Sequence, residues 1–269
     1  MSLTLLLMID GLRPDAVASD FVPGSSAACP NLTALRARGV WAEAARSVMP
    51  SITLPCHMSL FHSVPPARHG VTTNAWQPMA RPLPGLIEAA HAAGKRCGFF
   101  YNWEPLRDLS RPEQLAVAYC RNNSHDLDGD ARNLPVFLDL LRAEPLDFAF
   151  VYFGNVDSAG HAHGWMSPEY LRQAERTDAL AGRLLAALPA EARLIVMSDH
   201  GGHDRNHGTD QAEDMRIVWL AAGPGIRSGV TLTTPVSLLD TAPTLARLMG
   251  LAPHPEWEGR CVDEAFAGA

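Results

Sequence analysis

The sequence has no excess of basic charge: 22 Lys and Arg stand against 29 Asp and Glu, a formal net charge of −7. Nucleic acid is thereby excluded as a bulk partner, since its binding needs a basic face. Phosphate chemistry is not excluded, because bound metal can supply positive charge locally. Paired cysteines are lacking too. The five present, Cys29, Cys56, Cys97, Cys120 and Cys261, are odd in number, widely spaced and free of any CxxC pair. Such usage points to free thiols in a reducing compartment rather than to a disulfide framework. No apolar run is long enough to span a membrane. The first one, Leu3-Thr-Leu-Leu-Leu-Met-Ile9, lacks the basic start and small-residue cleavage site of a signal peptide and runs straight into Asp10. It reads as a strand, and a cytoplasmic protein with no membrane partner is expected. Repeats, low-complexity tracts and linkers are also missing, which leaves residues 1–269 as one domain with ample length for a large core.

What the chain does have is concentrated in Arg193-Leu-Ile-Val-Met-Ser-Asp-His-Gly-Gly-His-Asp-Arg-Asn-His207. Leu194 to Ser198 is short and apolar, and predicts a buried parallel strand. It ends on Asp199-His200-Gly201-Gly202, with His203 and His207 close behind. Open α/β sheets bind ligands beyond the carboxyl ends of their strands, and carboxylate with imidazole is a donor set for zinc and related cations. A polar loop with one incidental histidine would be unremarked. Three His and two Asp within nine residues favour metal binding.

The same pattern recurs along the chain. Leu3 to Ile9 predicts a first strand that delivers Asp10-Gly11 to its carboxyl end, where glycine permits a sharp turn. Taken alone, Asp10 is equally well a turn residue. Pro30 opens a short helix closed by Gly39, and a strand over Val40 to Ala45 follows. Pro55 suits the first turn of a helix whose apolar side is Met58, Leu60 and Phe61, so Thr53 stands just before a helix N-terminus. There it is either a plain N-cap or a hydroxyl beside an anion site formed by free N–H groups. Pro65 to Trp76 predicts an irregular loop carrying Asn74, Leu83 to Ala93 an amphipathic helix, and Arg96 to Tyr101 a strand ending on Asn102 and Trp103. Leu115 to Cys120 reads as a strand and Leu134 to Ala143 as a helix. Asp147 to Phe153 predicts another buried strand, followed by Asp157 and His161, which one helical turn would put on a common face. A long helix over Pro168 to Leu188, a buried strand over Ile217 to Ala221 and a strand-to-helix segment over Thr234 to Leu251 complete the pattern.

Asp10, Asp157 and Asp199 each follow a separate buried apolar run, so one sheet can bring all three to a single edge. With His161, His200 and His207 they make six ligand-capable side chains near one crevice. Three buried carboxylates without cations would repel at a cost of several kcal/mol. Two divalent ions resolve this and leave a site that still attracts phosphate, of the kind that clamps the attacking and leaving oxygens of an in-line displacement.

Asp10-Gly-Leu-Arg, Thr53-Leu-Pro-Cys-His57, His69-Gly-Val-Thr-Thr-Asn74, Asp157-Ser-Ala-Gly-His161, Ser198-Asp-His-Gly-Gly202 and His207-Gly208 together resemble the alkaline phosphatase superfamily. Within it they are most similar to the nucleotide pyrophosphatase/phosphodiesterase branch. The segment from Ser237 to Gly250 and Trp257-Glu-Gly-Arg260 resemble its C-terminal end, so the resemblance covers nearly the whole chain. It implies an α/β three-layer sandwich with a mostly parallel central sheet, and a metal-dependent phosphodiesterase acting on a small-molecule phosphate ester. It further implies one zinc on Asp157, His161 and His207, and a second on Asp10, Asp199 and His200, with Thr53 as ligand and nucleophile. Manganese is also accepted by mixed sites of this kind. Attack by Thr53 would form a covalent phospho-threonine, then hydrolysed with inversion at each step, while the Asn74 amide donates to a phosphoryl oxygen. His203 matches none of these ligands; it is either an exposed loop residue or a contact to substrate phosphate.

Departures from the branch bear on substrate. Leu54 stands where nucleotide-cleaving members often carry an aromatic residue able to stack a base. Arg13 and Arg68 are near the motifs, without a direction that sequence can assign. The short spacing from His200 to His207 and the overall length leave no room for a large cap domain, so an open site is expected. A sulfatase would need Cys or Ser in place of Thr53. A phosphomonoesterase of the same superfamily, or a non-catalytic metal-binding relative, remain the alternatives; the latter has no need of a retained Thr53.

Overall fold

A computed structural model describes residues 2–17, 29–79 and 81–268. The strands are β1 (Thr4–Ile9), β2 (Val40–Ala42), β3 (Ala45–Arg46), β4 (Cys97–Tyr101), β5 (Val117–Cys120), β6 (Phe148–Phe153), β7 (Arg193–Met197), β8 (Trp219–Ala222), β9 (Val230–Leu232) and β10 (Val236–Ser237). The helices are α1 (Pro30–Ala37), α2 (Thr53–His62), α3 (Pro66–His69), α4 (Leu86–Ala92), α5 (Gly129–Ala143), α6 (Asn155–His163), α7 (Pro168–Ala187), α8 (Ala212–Met215) and α9 (Thr241–Leu248). Eight strands form one sheet in the order β5-β4-β6-β1-β7-β8-β2-β9, and β3 pairs with β10 apart from it.

Alternation along the strands decides the layering. Leu6 and Met8 of β1 share one face with Phe150 and Tyr152 of β6 and with Ile195 and Met197 of β7. Leu5, Leu7 and Ile9 share the opposite face with Val151, Phe153, Leu194 and Val196. Both faces are therefore covered, as near-continuous apolar strands require. Residues of α2, α4 and α9 cover the first face, among them Leu60, Leu86 and Leu245. The second is covered from α1, α5 and α7 by Leu35, Phe137 and Leu184. The result is the three-layer α/β sandwich expected from the sequence. Each β1 neighbour is parallel, Leu7 lying opposite Val151 in β6 and Val196 in β7. The carboxyl ends of β1, β6 and β7 thus emerge together, and the site is there.

Several local expectations shift. The strand read at Ile217 to Ala221 is Trp219–Ala222 and runs antiparallel to β7, with Val196 opposite Leu220. Val40 to Ala45 divides into β2 and β3, which join different sheets. The α2 helix is buried on every side rather than on one, because it lies between the sheet and the elements around Leu238 and Leu245. The helix α5 begins at Gly129 and runs through Pro135, well ahead of the expected start. Its first turn is tied down by tertiary hydrogen bonds: Asp130 accepts from Asn102 Nδ2 at 2.7 Å and Asn133 donates to Asn123 at 2.9 Å. All five cysteines are unpaired thiols. Among the described residues no helix is long and apolar enough to cross a membrane.

Candidate active site

Three strand ends converge. β1 delivers Asp10, whose N–H donates to Phe153 O at 2.9 Å, and β7 delivers Asp199 and His200. β6 passes through Gly154 into α6, where Asp157 and His161 are one turn apart as expected. Gly11 makes the close approach possible. Its φ is +67°, and a Cβ there would lie 3.0 Å from Asp157 Cα, so β1 and α6 could not meet this tightly around any other residue.

The ligand-capable atoms fall into two groups, Asp157, His161 and His207 in one and Asp10, Asp199 and His200 in the other. In the first, His161 Nε2 lies 3.2 Å from His207 Nε2, and Asp157 Oδ1 lies 3.5 and 3.6 Å from those nitrogens. In the second, His200 Nε2 lies 3.2 Å from Asp10 Oδ1, 3.5 Å from Asp199 Oδ2 and 3.1 Å from Thr53 Oγ1. A tetrahedral ion with bonds of roughly 2.0–2.1 Å sets its ligand atoms roughly 3.3–3.4 Å apart. Both groups fit that spacing. The His200 and His207 rings stack between them, 3.8 Å apart and 11° from parallel.

Hydrogen bonding behind the site fits metal as well. The Nδ1 atoms of His161, His200 and His207 face the backbone carbonyls of Arg205, Gly201 and Ser51 at 3.0, 2.8 and 2.8 Å. A carbonyl can only accept, so each Nδ1 carries a proton, and Nε2 is the ring nitrogen that faces inward and would bind a metal once it carries no proton. Asp157 Oδ1 and Asp199 Oδ2 are buried without a hydrogen-bond donor among the described residues, and the only described donor close to Asp10 Oδ1 is His200 Nε2 at 3.2 Å. Carboxylate oxygens left without donors are costly in a dry interior, and these three are the atoms that complete the two groups.

The electrostatics carry the same message. Burial acts to raise Asp10, but the hydrogen bond and charge of His200 outweigh it and hold the carboxyl well below its ordinary range. Burial and the Asp10 charge push Asp157 and Asp199 well above theirs. Burial alone would lower His200, yet the Asp199 and Asp10 carboxylates prevail and lift it to about 10. Burial takes His207 down to about 3, the charge on His200 adding to it. The carboxylates thus create a field strong enough to keep a second proton on a buried imidazole, and a divalent cation would answer the same field in place of that proton.

Thr53 is the first residue of α2 and not its N-cap, which is Ile52; its hydroxyl caps nothing and faces His200. Of the two readings open at the sequence level, the N-cap is ruled out. Asn74 Oδ1 accepts from Leu54 N–H at 2.9 Å, which leaves its NH₂ to face the pocket. That pocket, a cavity of about 130 Å³, is lined by Asp10, Thr53, Asn74, Asp157, His161 and His207, with Trp103, Ser124, His125, Tyr152, Gly154 and Ser158 completing its wall. All eight sequence-predicted site residues lie at this one place, six on the pocket wall and Asp199 and His200 buried directly behind it.

Other candidates are used differently. His203 is not a free loop residue and lies outside the pocket lining: Nδ1 is 2.7 Å from buried Asp214, whose other oxygen holds Thr209. Arg13 is engaged with Asp15 and the Gly202 carbonyl, and Arg68 with Glu256 and Glu258. Leu54 is wholly buried in the core and presents no face to a substrate, and Tyr101 packs there too, whereas Trp103 reaches the pocket. Two supporting residues escaped the sequence reading. Tyr152 donates its hydroxyl to Asp10 Oδ2, which turns Oδ1 toward His200. Asp130 accepts from the Gly154 and Asn155 N–H groups, both at 3.1 Å, and so caps the helix that carries Asp157 and His161. The alternation of β6 puts Tyr152 on a sheet face like any core aromatic, and nothing local ties Asp130 to a helix that starts 25 residues later.

Comparison with known proteins bears on this geometry. Residues 4–217 match the family model described as type I phosphodiesterase / nucleotide pyrophosphatase. Mouse ectonucleotide pyrophosphatase/phosphodiesterase family member 3 is 25% identical over 228 residues, which cover 73% of this chain and 24% of that protein. The chain therefore spans about a quarter of the length of this curated relative. An inactive variant of murine ectonucleotide pyrophosphatase/phosphodiesterase 5 in complex with AMP superposes with a TM-score of 0.80 at 17% identity, over 99% of this chain and 100% of the other. A phosphonate monoester hydrolase from Silicibacter pomeroyi superposes with a TM-score of 0.79 at 17% identity, covering 100% of this chain and 77% of that one.

Proposed function

The chain belongs to the type I phosphodiesterase / nucleotide pyrophosphatase family, and from that membership we propose that it is a two-zinc phosphodiesterase that works through a covalent intermediate on Thr53. The observation that carries the proposal is the pair of three-residue groups at tetrahedral spacing, with the Thr53 hydroxyl 3.1 Å from His200 of the second group. Asp157, His161 and His207 would hold one ion, and Asp10, Asp199 and His200 the other, with Thr53 as a further ligand. Bound there, divalent ions would offset the carboxylate charge and lower the pKa of a coordinated hydroxyl or water.

The chain's own residues do the rest. Thr53 Oγ bonds to phosphorus as the bond to the leaving-group oxygen breaks, leaving Thr53 esterified and the leaving group as an alcohol or phenol. Water then attacks the same phosphorus. Thr53 Oγ departs and regains its proton, and a phosphate monoester is released with two inversions behind it. Asn74, held through its carbonyl by Leu54 N–H, donates its NH₂ to a non-bridging oxygen as charge develops there. The helix α2 supports this electrostatically, since its N-terminal N–H groups favour an anion beside Thr53.

Substrate class follows from the wall. A monoester brings one more negative charge than a diester, and no Arg or Lys is among the residues lining the pocket. Arg13 and Arg68, which stand near the motifs in sequence, are paired with carboxylates away from the pocket lining. Diesters are therefore the better fit. With Leu54 in the core the position after Thr53 offers no stacking face, so discrimination between nucleobases should be weak; strong selectivity for a nucleotide would point instead to Trp103 on the pocket wall. We place the site in one catalytic domain without a large cap, consistent with the exposed His125, Asn74 and His161 at its mouth. The test is relative turnover of the mono- and bis-nitrophenyl phosphates and a dinucleotide at matched pH and zinc. Faster diester cleavage is expected. A monoester preference of tenfold or more, about 1.4 kcal/mol in the transition state, would make it a phosphomonoesterase instead.

A further inference from the structure

One side chain outside the ligand set touches each of the segments that supply it. Trp165 follows α6 by a single turn at Gly164, and its N–H donates to Asp204 O at 2.7 Å. The indole Nε1–H donates to Gly11 O at 2.9 Å, on the residue after Asp10. The ring lies flat over two glycines: a Cβ at Gly160 or Gly202 would come within 2.6 or 2.3 Å of its Cε2. Gly160 precedes His161, and Gly202 stands two residues after His200. The ring edge then meets His161 at 5.0 Å between centroids, 85° from parallel, and His207 at 5.7 Å and 65°. Trp165 itself is only 7% exposed.

The two groups of ligands differ in how much else holds them. Asp10, Asp199 and His200 are enclosed by protein, 2% exposed or less. The His161 side chain is 43% exposed, and apart from its Nδ1 contact to Arg205 O it rests on two rings, the Trp165 indole and His207, each 5.0 Å away between centroids; of the two, only the indole lies outside the ligand set. An exposed imidazole with one hydrogen bond has other rotamers within reach, and most of them carry Nε2 away from His207 Nε2. We propose that Trp165 is a positioning residue for the Asp157–His161–His207 group: wedged against Gly160 and Gly202, it is the backstop that keeps the His161 and His207 nitrogens converged on one ion. The inference rests on the two-ion reading above. It also accounts for the two glycines, neither of which needs a positive φ. They are the spaces the indole occupies.

Outer residues that orient a ligand commonly change metal affinity by about 10–100-fold. Zinc affinity is measured by competition with a chromophoric chelator on the wild type and on the W165L, W165F and H161A variants. The wild type should bind two ions; fewer than two would sink the two-ion reading itself and leave no question about Trp165. In W165L one site should weaken by about 10–100-fold, the same site that H161A abolishes, while the other stays within about threefold. In W165F, which keeps an aromatic edge but loses the Gly11 hydrogen bond, the same site should weaken by a smaller factor, about threefold to tenfold. Wild-type affinity at both sites in W165L, or an equal loss at both, would overturn the proposal, since a merely structural tryptophan has no reason to choose between them. If W165L fails to fold, W165F decides alone: a loss confined to the His161 site supports the proposal, and unchanged affinity refutes it.

Discussion

Replacing Thr53 by alanine separates chemistry from architecture, because so little architecture depends on its hydroxyl. The residue is 4% exposed and its Oγ1 makes one contact, 3.1 Å to His200 Nε2, with no capping hydrogen bond to α2. The backbone role of Thr53, accepting from His57 Nδ1 at 2.8 Å, survives the change. With His200 neutral, as metal binding would require, losing one neutral hydrogen bond costs about 0.5–1.5 kcal/mol, and alanine returns up to about 0.5 kcal/mol through its better helix propensity. Net stability should therefore move by no more than about 1 kcal/mol, or about 2–4 °C in Tm for a chain of this size. The expected kinetic cost is of another order. Without a nucleophile, diester turnover should fall by about 10⁴-fold or more, equivalent to about 5.5 kcal/mol in the barrier. Bis-nitrophenyl phosphate turnover, Tm and bound zinc are measured on Thr53→Ala and Thr53→Ser side by side. Serine keeps the hydroxyl and should stay within about 100-fold of the wild type. An alanine variant within tenfold of wild-type turnover, with its metal intact, refutes the nucleophile assignment. So does a loss of turnover that merely follows a collapse in Tm.

Dialysis against a strong chelator should abolish diester hydrolysis and zinc should restore it; full turnover in metal-free protein would contradict the role given to Asp10, Asp157 and Asp199. Gly11→Ala puts a Cβ 3.0 Å from Asp157 Cα at a φ of +67°. It should cost about 1–2 kcal/mol for the backbone alone, and about 100-fold in kcat/KM through displaced ligands, so near-wild-type kinetics would show that β1 and α6 need not meet this closely. Asp130 offers a pH signature, since burial drives its carboxyl up to about 7 against the N–H groups that favour its ionised form. An unfolded carboxyl titrates near about 3.9, so between the two values the folded state holds more protons and this group's contribution to stability falls as pH rises. Chemical denaturation at several pH values between about 4 and 7 should show the wild type losing stability relative to Asp130→Asn as pH increases; the opposite slope would mean that the Gly154 and Asn155 N–H groups keep Asp130 ionised throughout.

How much of this was legible beforehand depends on the range of the interaction involved. Strands buried on both faces announce themselves as apolar runs, so Leu3 to Ile9, Asp147 to Phe153 and Leu194 to Ser198 could be read directly, together with the carboxylates that follow them. The pairing of Asp157 with His161 needed only the helical repeat. Those signals come from a residue's own type and spacing, and they were enough to assemble the candidate ligand set and the parallel core of the sheet. Tertiary structure alone decided what stands behind each ligand. The acceptors for His161, His200 and His207 are backbone carbonyls, which every residue type presents alike and which leave no trace in composition. It also decided which neighbours of the motifs face the pocket: Leu54 turned inward because α2 is enclosed on all sides, and Arg13 and Arg68 were drawn to carboxylates. His203 went to Asp214, eleven residues on. The antiparallel course of β8 and the early start of α5 have the same origin, since strand direction and a helix's first turn were set by partners far along the chain. Local chemistry named the candidate ligands; long-range packing chose their orientation, because orientation belongs to the contacts between segments and not to any segment by itself.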